Sequence, residues 1–215
     1  MEVIVLNKKK LFIVGASHLG REIESAIDCS NESIWEIQGF LHKYQDKSPL
    51  EGFPSDYTIL GSWDEYPLSF RDYCLIAVTQ AAWKELVYKH LEQITNVVTY
   101  IHPTSFIGKF TEIGTGTIIL KDTSIQTNTK IGKVVFINGG TRVGHDSFID
   151  DYTTIFSQVQ IGGRCHIGKN VTIGSCATLI PGIKVGDNAT VGTVSVIIKN
   201  VKAGTTVFGN PAKEI

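Results

Sequence analysis

The sequence is short of sulfur and of proline, and it has no excess of either charge. Its four cysteines, Cys29, Cys74, Cys165 and Cys176, form no CxxC pair, so neither a disulfide framework nor a clustered zinc site is expected, and the thiols read as reduced. Twenty basic side chains face 21 acidic ones, for a net charge of −1; that balance excludes the polybasic surface that nucleic acid or an anionic membrane would require. Charged residues are 19% of the chain, below the roughly 25% of an average globular protein. No apolar run approaches the roughly 18 residues of a bilayer span. At the N-terminus the basic run Lys8-Lys9-Lys10 follows a short apolar one, the reverse of a secretory signal, and the expected location is cytoplasmic. The 215 residues leave room for one or two domains.

What the chain does have is a period. Stepping by six from Ile101 reaches Ile107, Ile113, Ile119, Ile125, Ile131, Ile137, Val143, Ile149, Ile155, Ile161, Ile167, Ile173, Leu179, Val185, Val191 and Ile197, seventeen aliphatic residues without a break. The residue four positions after each is Ser, Thr, Ala, Val or Cys in sixteen cases, Ile183 being the exception, and the residue directly after is Gly in nine. A hexad sustained over this length predicts a parallel β-helix. Six residues make one short strand and a turn, and three such units close a coil of eighteen. The aliphatic points inward, the small residue sits near a corner, and the glycines are expected to supply turn dihedrals that a Cβ would strain.

The first half has no such period. Lys10 to Val14 reads as a strand that enters Gly15-Ala16-Ser17-His18-Leu19-Gly20, and residues 21–29 have helical spacing at Ile23, Ala26 and Ile27. A strand, glycine turn and helix can hold a phosphate on free backbone N–H groups, with Gly15 and Ser17 as the candidate substrate-binding residues. The same pattern also fits a tight βα turn with no ligand, because the loop is not GxGxxG. Residues 34–41, 73–79 and 97–100 read as further strands and residues 81–94 as a helix. The expected fold is therefore a small α/β domain, Rossmann-like with a parallel sheet, over residues 1–100, followed by an all-β parallel β-helix over residues 101–215.

Six histidines are present. His18, His42 and His90 read as solvated, His102 as a junction residue and His166 as an outward polar side chain. His145, in Arg142-Val143-Gly144-His145-Asp146, stands apart because Gly163 lies eighteen residues on. One coil later on the same face is about 4.8 Å away, which puts a bare backbone N–H beside an imidazole. An imidazole as general base and an amide aimed at a developing oxyanion are what acyl transfer requires. Asp146 would orient the ring only across a local bend, since adjacent residues on a flat strand point to opposite faces. Cys165 and Cys176 do not stack with His145, so transfer is expected to be direct, without an acyl-enzyme. A zinc-dependent solenoid of the γ-carbonic anhydrase type needs a pair of histidines separated by four residues, and the sequence has none. A non-catalytic solenoid would carry a regular outer row of one residue type, whereas the outer positions here are mixed.

The α/β opening near Gly15-Ala16-Ser17, the junction His102-Pro103, the continuous hexads, Asn138 seven residues before Gly144-His145-Asp146, and the terminal Gly209-Asn210-Pro211-Ala212-Lys213 together resemble the sugar O-acyltransferases of the sialic acid O-acetyltransferase (NeuD-like) family. That family includes enzymes that N-acetylate UDP-linked 4-amino sugars. The resemblance covers essentially the whole chain. It implies a left-handed β-helix, a homotrimer, and acetyl-CoA as co-substrate in a groove between neighbouring solenoids, with no metal. It also implies His145 as base, Asp146 as its supporting acid, Asn138 as a sugar contact, Gly163 as amide donor to the thioester carbonyl, and Gly209 and Pro211 near the CoA. Thr154 stands where the amino-sugar enzymes have a second histidine, nine residues or half a coil after the base, and is assigned to the CoA side. His42-Lys43 replaces the usual acidic pair after the second strand. The implied acceptor is a sugar or a nucleotide-linked amino sugar; the alternative is O-acetylation of a free or polymer-linked sugar such as sialic acid.

Overall fold

The computed structural model describes residues 8–29, 34–43 and 49–215. The basic run at residues 8–10 is included; the stretch before it lies outside the described residues. The chain divides into two compact units, residues 1–78 with 86–98, and residues 79–85 with 99–215. Among the described residues no helix is long and apolar enough to cross a membrane.

In the first unit, β1 (Lys9–Val14), β2 (Trp35–Leu41), β3 (Ile59–Gly61), β4 (Tyr73–Ile76) and β5 (Asn96–Val97) form an all-parallel sheet in the order β3-β2-β1-β4-β5. Strand β3 has no counterpart in the sequence reading, because three residues carry too little periodicity to be recognised. Helix α1 (His18–Asp28) begins three residues earlier than the spacing implied; its buried stripe is Leu19, Ile23 and Ile27, one residue every fourth position. Helix α2 (Ala81–Leu91) spans the division between the units.

The second unit is a β-solenoid of two-residue strands. Up to Val196–Ile197 each coil strand pairs with the one eighteen residues on, as Ser124–Ile125 does with Arg142–Val143 and Arg142–Val143 with Gln160–Ile161; the last parallel pair, Thr190–Val191 with Thr206–Val207, closes in sixteen. The strands form three parallel stacks of six, five and eight, and the last stack ends in an antiparallel hairpin, Thr206–Gly209 with Ala212–Glu214. From Ile119 onward the sixth-position aliphatics form one continuous buried core. Ile101 is exposed, and Ile107 and Ile113 are only partly buried, because they belong to the first coil.

Where the small residue of a hexad is a threonine it does more than fit a corner. Thr117 Oγ1 donates to Gly132 O at 2.8 Å and accepts from Val135 N–H at 3.1 Å, and Thr153 Oγ1 does the same with Gly168 O and Val171 N–H. Each hydroxyl thus satisfies a donor and an acceptor of the next coil's buried main chain.

The expected role of the glycines holds at Gly116, Gly140 and Gly182, with φ of +77°, +72° and +80°, but not at the glycines directly after the aliphatics. Left-handed backbone falls on the third residue after each aliphatic from Ile107 to Val191, at positions such as Asp122, Asn128, Asp146, Arg164 and Asn188, and asparagine and aspartate tolerate it well. The glycines directly after the aliphatics have no such dihedral. They are small because the next coil passes too close: a Cβ on Gly144 would lie 2.4 Å from Gly163 N, and one on Gly108 would lie 2.5 Å from Thr127 N.

Candidate active site

His145 occupies the turn between Arg142–Val143 and Phe148–Ile149. Its main-chain carbonyl accepts from Arg164 N–H at 2.8 Å, and Gly144 N–H donates to Ile161 O at 2.8 Å. The coil therefore brings residue 163 directly against residue 145. A Cβ built on Gly163 would lie 2.7 Å from His145 Nε2 and 3.0 Å from each adjoining ring carbon, so only glycine leaves the ring in place. Gly163 O accepts from Gly182 N–H at 2.9 Å, while among the described residues its own N–H meets no protein acceptor.

Asp146 supplies the bend that contact with His145 requires. Its φ is +57°, which turns its side chain back beside the preceding residue, and His145 Nδ1 lies 2.6 Å from Asp146 Oδ2. The other carboxylate oxygen, Oδ1, accepts from Asn128 Nδ2 at 2.7 Å. The Asn128 hydrogen bond, then that of His145, hold the Asp146 carboxyl below the usual carboxylate range, with Arg164 adding a smaller attraction. An ionised carboxylate only accepts, so the proton of the neutral ring sits on Nδ1 and Nε2 carries the free lone pair. Both side chains are nearly half exposed. Such an imidazole can take a proton at Nε2 from a group brought to the corner.

The other expected site residues are distributed differently. Asn138 is half-buried, and its carboxamide oxygen accepts from Gly139 N–H at 2.7 Å. Gly209 lies at the end of the terminal hairpin, where its N–H donates to Ser195 Oγ at 3.1 Å, and Pro211 is exposed. Thr154 requires correction as a cofactor contact. It is 1% exposed, its hydroxyl donates to Thr79 O at 2.7 Å, and it accepts from Lys84 Nζ at 2.7 Å. Lys84 Nζ also donates to Thr153 O at 2.9 Å. No pattern in the sequence marks Lys84, since a lysine on a helix reads as solvated; here burial pushes the pKa of its ammonium well below the ordinary range.

In the first unit, Gly15 forms the turn between β1 and α1. Its N–H donates to Leu41 O at 2.9 Å, and a Cβ on it would lie 2.5 Å from Ala77 O. Ser17 caps α1 in extended conformation, with no side-chain capping bond. His42 is not solvated as expected: it is half-buried, burial lowers its pKa, and its Nδ1 accepts from Ala16 N–H at 3.5 Å. His90 packs edge-on against Trp63 with centroids 5.4 Å apart, again unlike the solvated reading. His166 is outward as expected and stacks on Phe148, one coil below, at 4.8 Å. Cys165 is buried, its thiol pushed up by desolvation, and it donates to Ile180 O. Cys74 is pushed up to about 12 by burial. The carboxylates of Glu24, Asp28 and Asp56 approach one another within 4.8 Å, but Glu24 already accepts from Ser55 and from Asp56 N–H.

Residues 146–181 match the family model described as bacterial transferase hexapeptide (six repeats). Among curated proteins none matches the sequence. Solved structures do. The acetyltransferase domain of PglB from Neisseria gonorrhoeae FA1090 in complex with acetyl coenzyme A is 21% identical, with a TM-score of 0.86 over 97% of this chain and 100% of that one. WeeI from Acinetobacter baumannii AYE is 26% identical, with a TM-score of 0.80 over 97% and 100%. A mutant of perosamine N-acetyltransferase from Caulobacter crescentus, in complex with CoA and GDP-perosamine, is 19% identical, with a TM-score of 0.82 over 96% of each. The chain therefore carries the hexapeptide repeat of bacterial transferases and has, over nearly its whole length, the fold of these acetyltransferases.

Proposed function

We propose that the protein is an acetyl-CoA-dependent acetyltransferase that acts on a sugar or nucleotide-linked amino sugar by direct transfer. One observation carries the reading: a ring whose Nδ1 is tied to a carboxylate and whose Nε2 faces a glycine main chain, on a solenoid shared with acetyltransferases. In this reading His145 Nε2 takes the proton of the attacking amine or hydroxyl as the new bond to the acetyl carbon forms. The C–S bond then breaks, and the imidazolium returns the proton to the departing CoA sulfur. Gly163 N–H donates to the thioester oxygen as negative charge develops there; a positioned base contributes about 10² to 10⁴ in rate and one oxyanion donor about 10² to 10³.

Asn138 contacts the sugar, and Gly209 and Pro211 border the CoA. Ser17 and the start of α1 hold an anionic part of the acceptor, with Gly15 shaping the turn. The assembly is a homotrimer of left-handed solenoids, and the first unit is a Rossmann-like domain, in keeping with its parallel sheet order. An amine acceptor is preferred to an alcohol, because perosamine N-acetyltransferase is among the similar structures.

The test is thiol release from acetyl-CoA in the presence of UDP-, GDP- and dTDP-linked amino sugars and of free sugars. One or more nucleotide-linked amino sugars are expected to accept the acetyl group, and His145→Ala is expected to cut turnover by at least about 10²-fold while CoA binding and assembly persist. Unchanged turnover in the folded variant overturns the assignment of the base.

A further inference from the structure

Residue 128 precedes residue 146 by one full coil, and both occupy the left-handed corner position, with φ of +55° and +57°. Asn128 is anchored from below, its N–H donating to Lys109 O at 3.0 Å. Asp146 is anchored in the same way, its N–H donating to Thr127 O at 3.1 Å. Two identical turns thus stack their third residues, and the carboxamide of one reaches the carboxylate of the other: Asn128 Nδ2 to Asp146 Oδ1, 2.7 Å. The carboxylate is consequently held through both oxygens, by the amide on Oδ1 and by the imidazole on Oδ2 at 2.6 Å.

This double hold matters because the corner is open to water. An exposed carboxylate on a single rotatable bond exchanges partners with solvent, and a hydrogen bond from one exposed side chain to another restrains it little. A second donor from a rigid neighbouring coil removes that freedom. The donor must also be uncharged and must offer N–H: a carboxylate at position 128 would repel Asp146, whereas asparagine tolerates the left-handed backbone and donates. The charged and titratable groups around Asp146 are His145 in the same turn and Arg164 one coil above.

We propose that Asn128 is a positioning residue, which fixes Asp146 so that the His145 proton stays on Nδ1 and Nε2 stays bare toward Gly163. The proposal rests on the reading of His145 as base, and acts through Asp146 alone.

The experiment uses the full chain labelled with 15N-histidine, observed at a pH where the ring is neutral, with the His145 signals assigned by their loss in His145→Gln. The parent is expected to hold mainly the Nδ1–H tautomer. In Asn128→Ala, and in Asn128→Asp, which keeps volume and backbone tolerance but removes the donor, the Nδ1–H share is expected to fall by at least about twofold toward the Nε2–H form favoured by free imidazole. Placing Asn128→Ala in an Asp146→Ala background is expected to add no further change. With acetyl-CoA and an acceptor from the panel above, kcat is expected to fall about tenfold in Asn128→Ala at unchanged KM for acetyl-CoA, a fraction of the about 10⁴-fold that a misoriented catalytic imidazole costs. A parental tautomer in both single variants, or a full additive effect in the Asp146→Ala background, overturns the proposal. The tautomer readout needs no turnover, so an absence of acetyl transfer refutes the proposed function and leaves this result to be judged separately.

Discussion

His145 and Thr154 stand nine residues apart, half a coil, and each heads a small polar cluster of the solenoid unit. The first cluster, His145 with Asp146 and Asn128, lies at a turn where its side chains stay nearly half exposed. The second, Thr154 with Lys84 and the carbonyls of Thr79 and Thr153, lies on a flat strand and is sealed from water. Both are held by hydrogen bonds, yet the turn leaves one ring nitrogen free for chemistry while the covered strand uses its polar side-chain atoms for cohesion. Substitutions in the first cluster should therefore change rate with little effect on stability, and those in the second should do the reverse.

After the loss of the imidazole itself, the largest effect on the open side is expected from Gly163→Ala. A methyl 2.7 Å from Nε2 forces the ring to move. Because the ring is free to swing outward, the fold survives; a displacement near 1 Å is expected to cost about 10²-fold in turnover, read as kcat at an unchanged unfolding midpoint. On the sealed side, Thr154→Val keeps the shape but leaves Thr79 O without its donor and Lys84 Nζ short of an acceptor. Chemical denaturation is expected to show a loss of about 1 to 3 kcal/mol, with turnover per folded molecule unchanged. A drop in turnover without a drop in stability would show that Thr154 belongs to the reaction after all.

The smallest effect sharpens the contrast through pH. The Lys84 pKa is lowered well below 10.5 by burial, so between that lowered value and 10.5 the unfolded chain binds a proton that the folded chain does not. Stability rises with pH across this window, by at most about 1.4 kcal/mol per pH unit. Lys84→Met lacks that slope. The difference in unfolding free energy between parent and variant is expected to shift in favour of the parent as pH rises toward 10.5, and a constant difference would mean that the buried ammonium stays charged.

Much of this is legible in the sequence. The unbroken aliphatic hexad specifies coils of eighteen, and that count alone places Gly163 on His145, as the Cβ clash at Nε2 bears out. The reason the glycines recur was not legible, because the crowding at Gly144 comes from the main chain of the next coil, whereas in the sequence glycine reads first as a turn former. Strand geometry requires a bend at Asp146, but its cause, a left-handed dihedral at the same corner of the hexads from Ile107 to Val191, leaves no residue-type signature when Phe110, Val134 and Tyr152 adopt it too. The sealing of Thr154 joins residues 70 apart in the chain. No local pattern encodes such a contact; the family resemblance assigns Thr154 to the CoA side, whereas packing in the structure sets it against Lys84.

Because each corner is supported only from the storeys directly beneath and above it, the length of this tower is a separate variable from its chemistry. Inserting a whole storey of eighteen residues beyond Leu179 would lengthen the prism and leave the surroundings of His145 as they are. Inserting a third of a storey between Asn128 and Asp146 would put the donor and the carboxylate on different walls, so such a tower can grow only in whole steps.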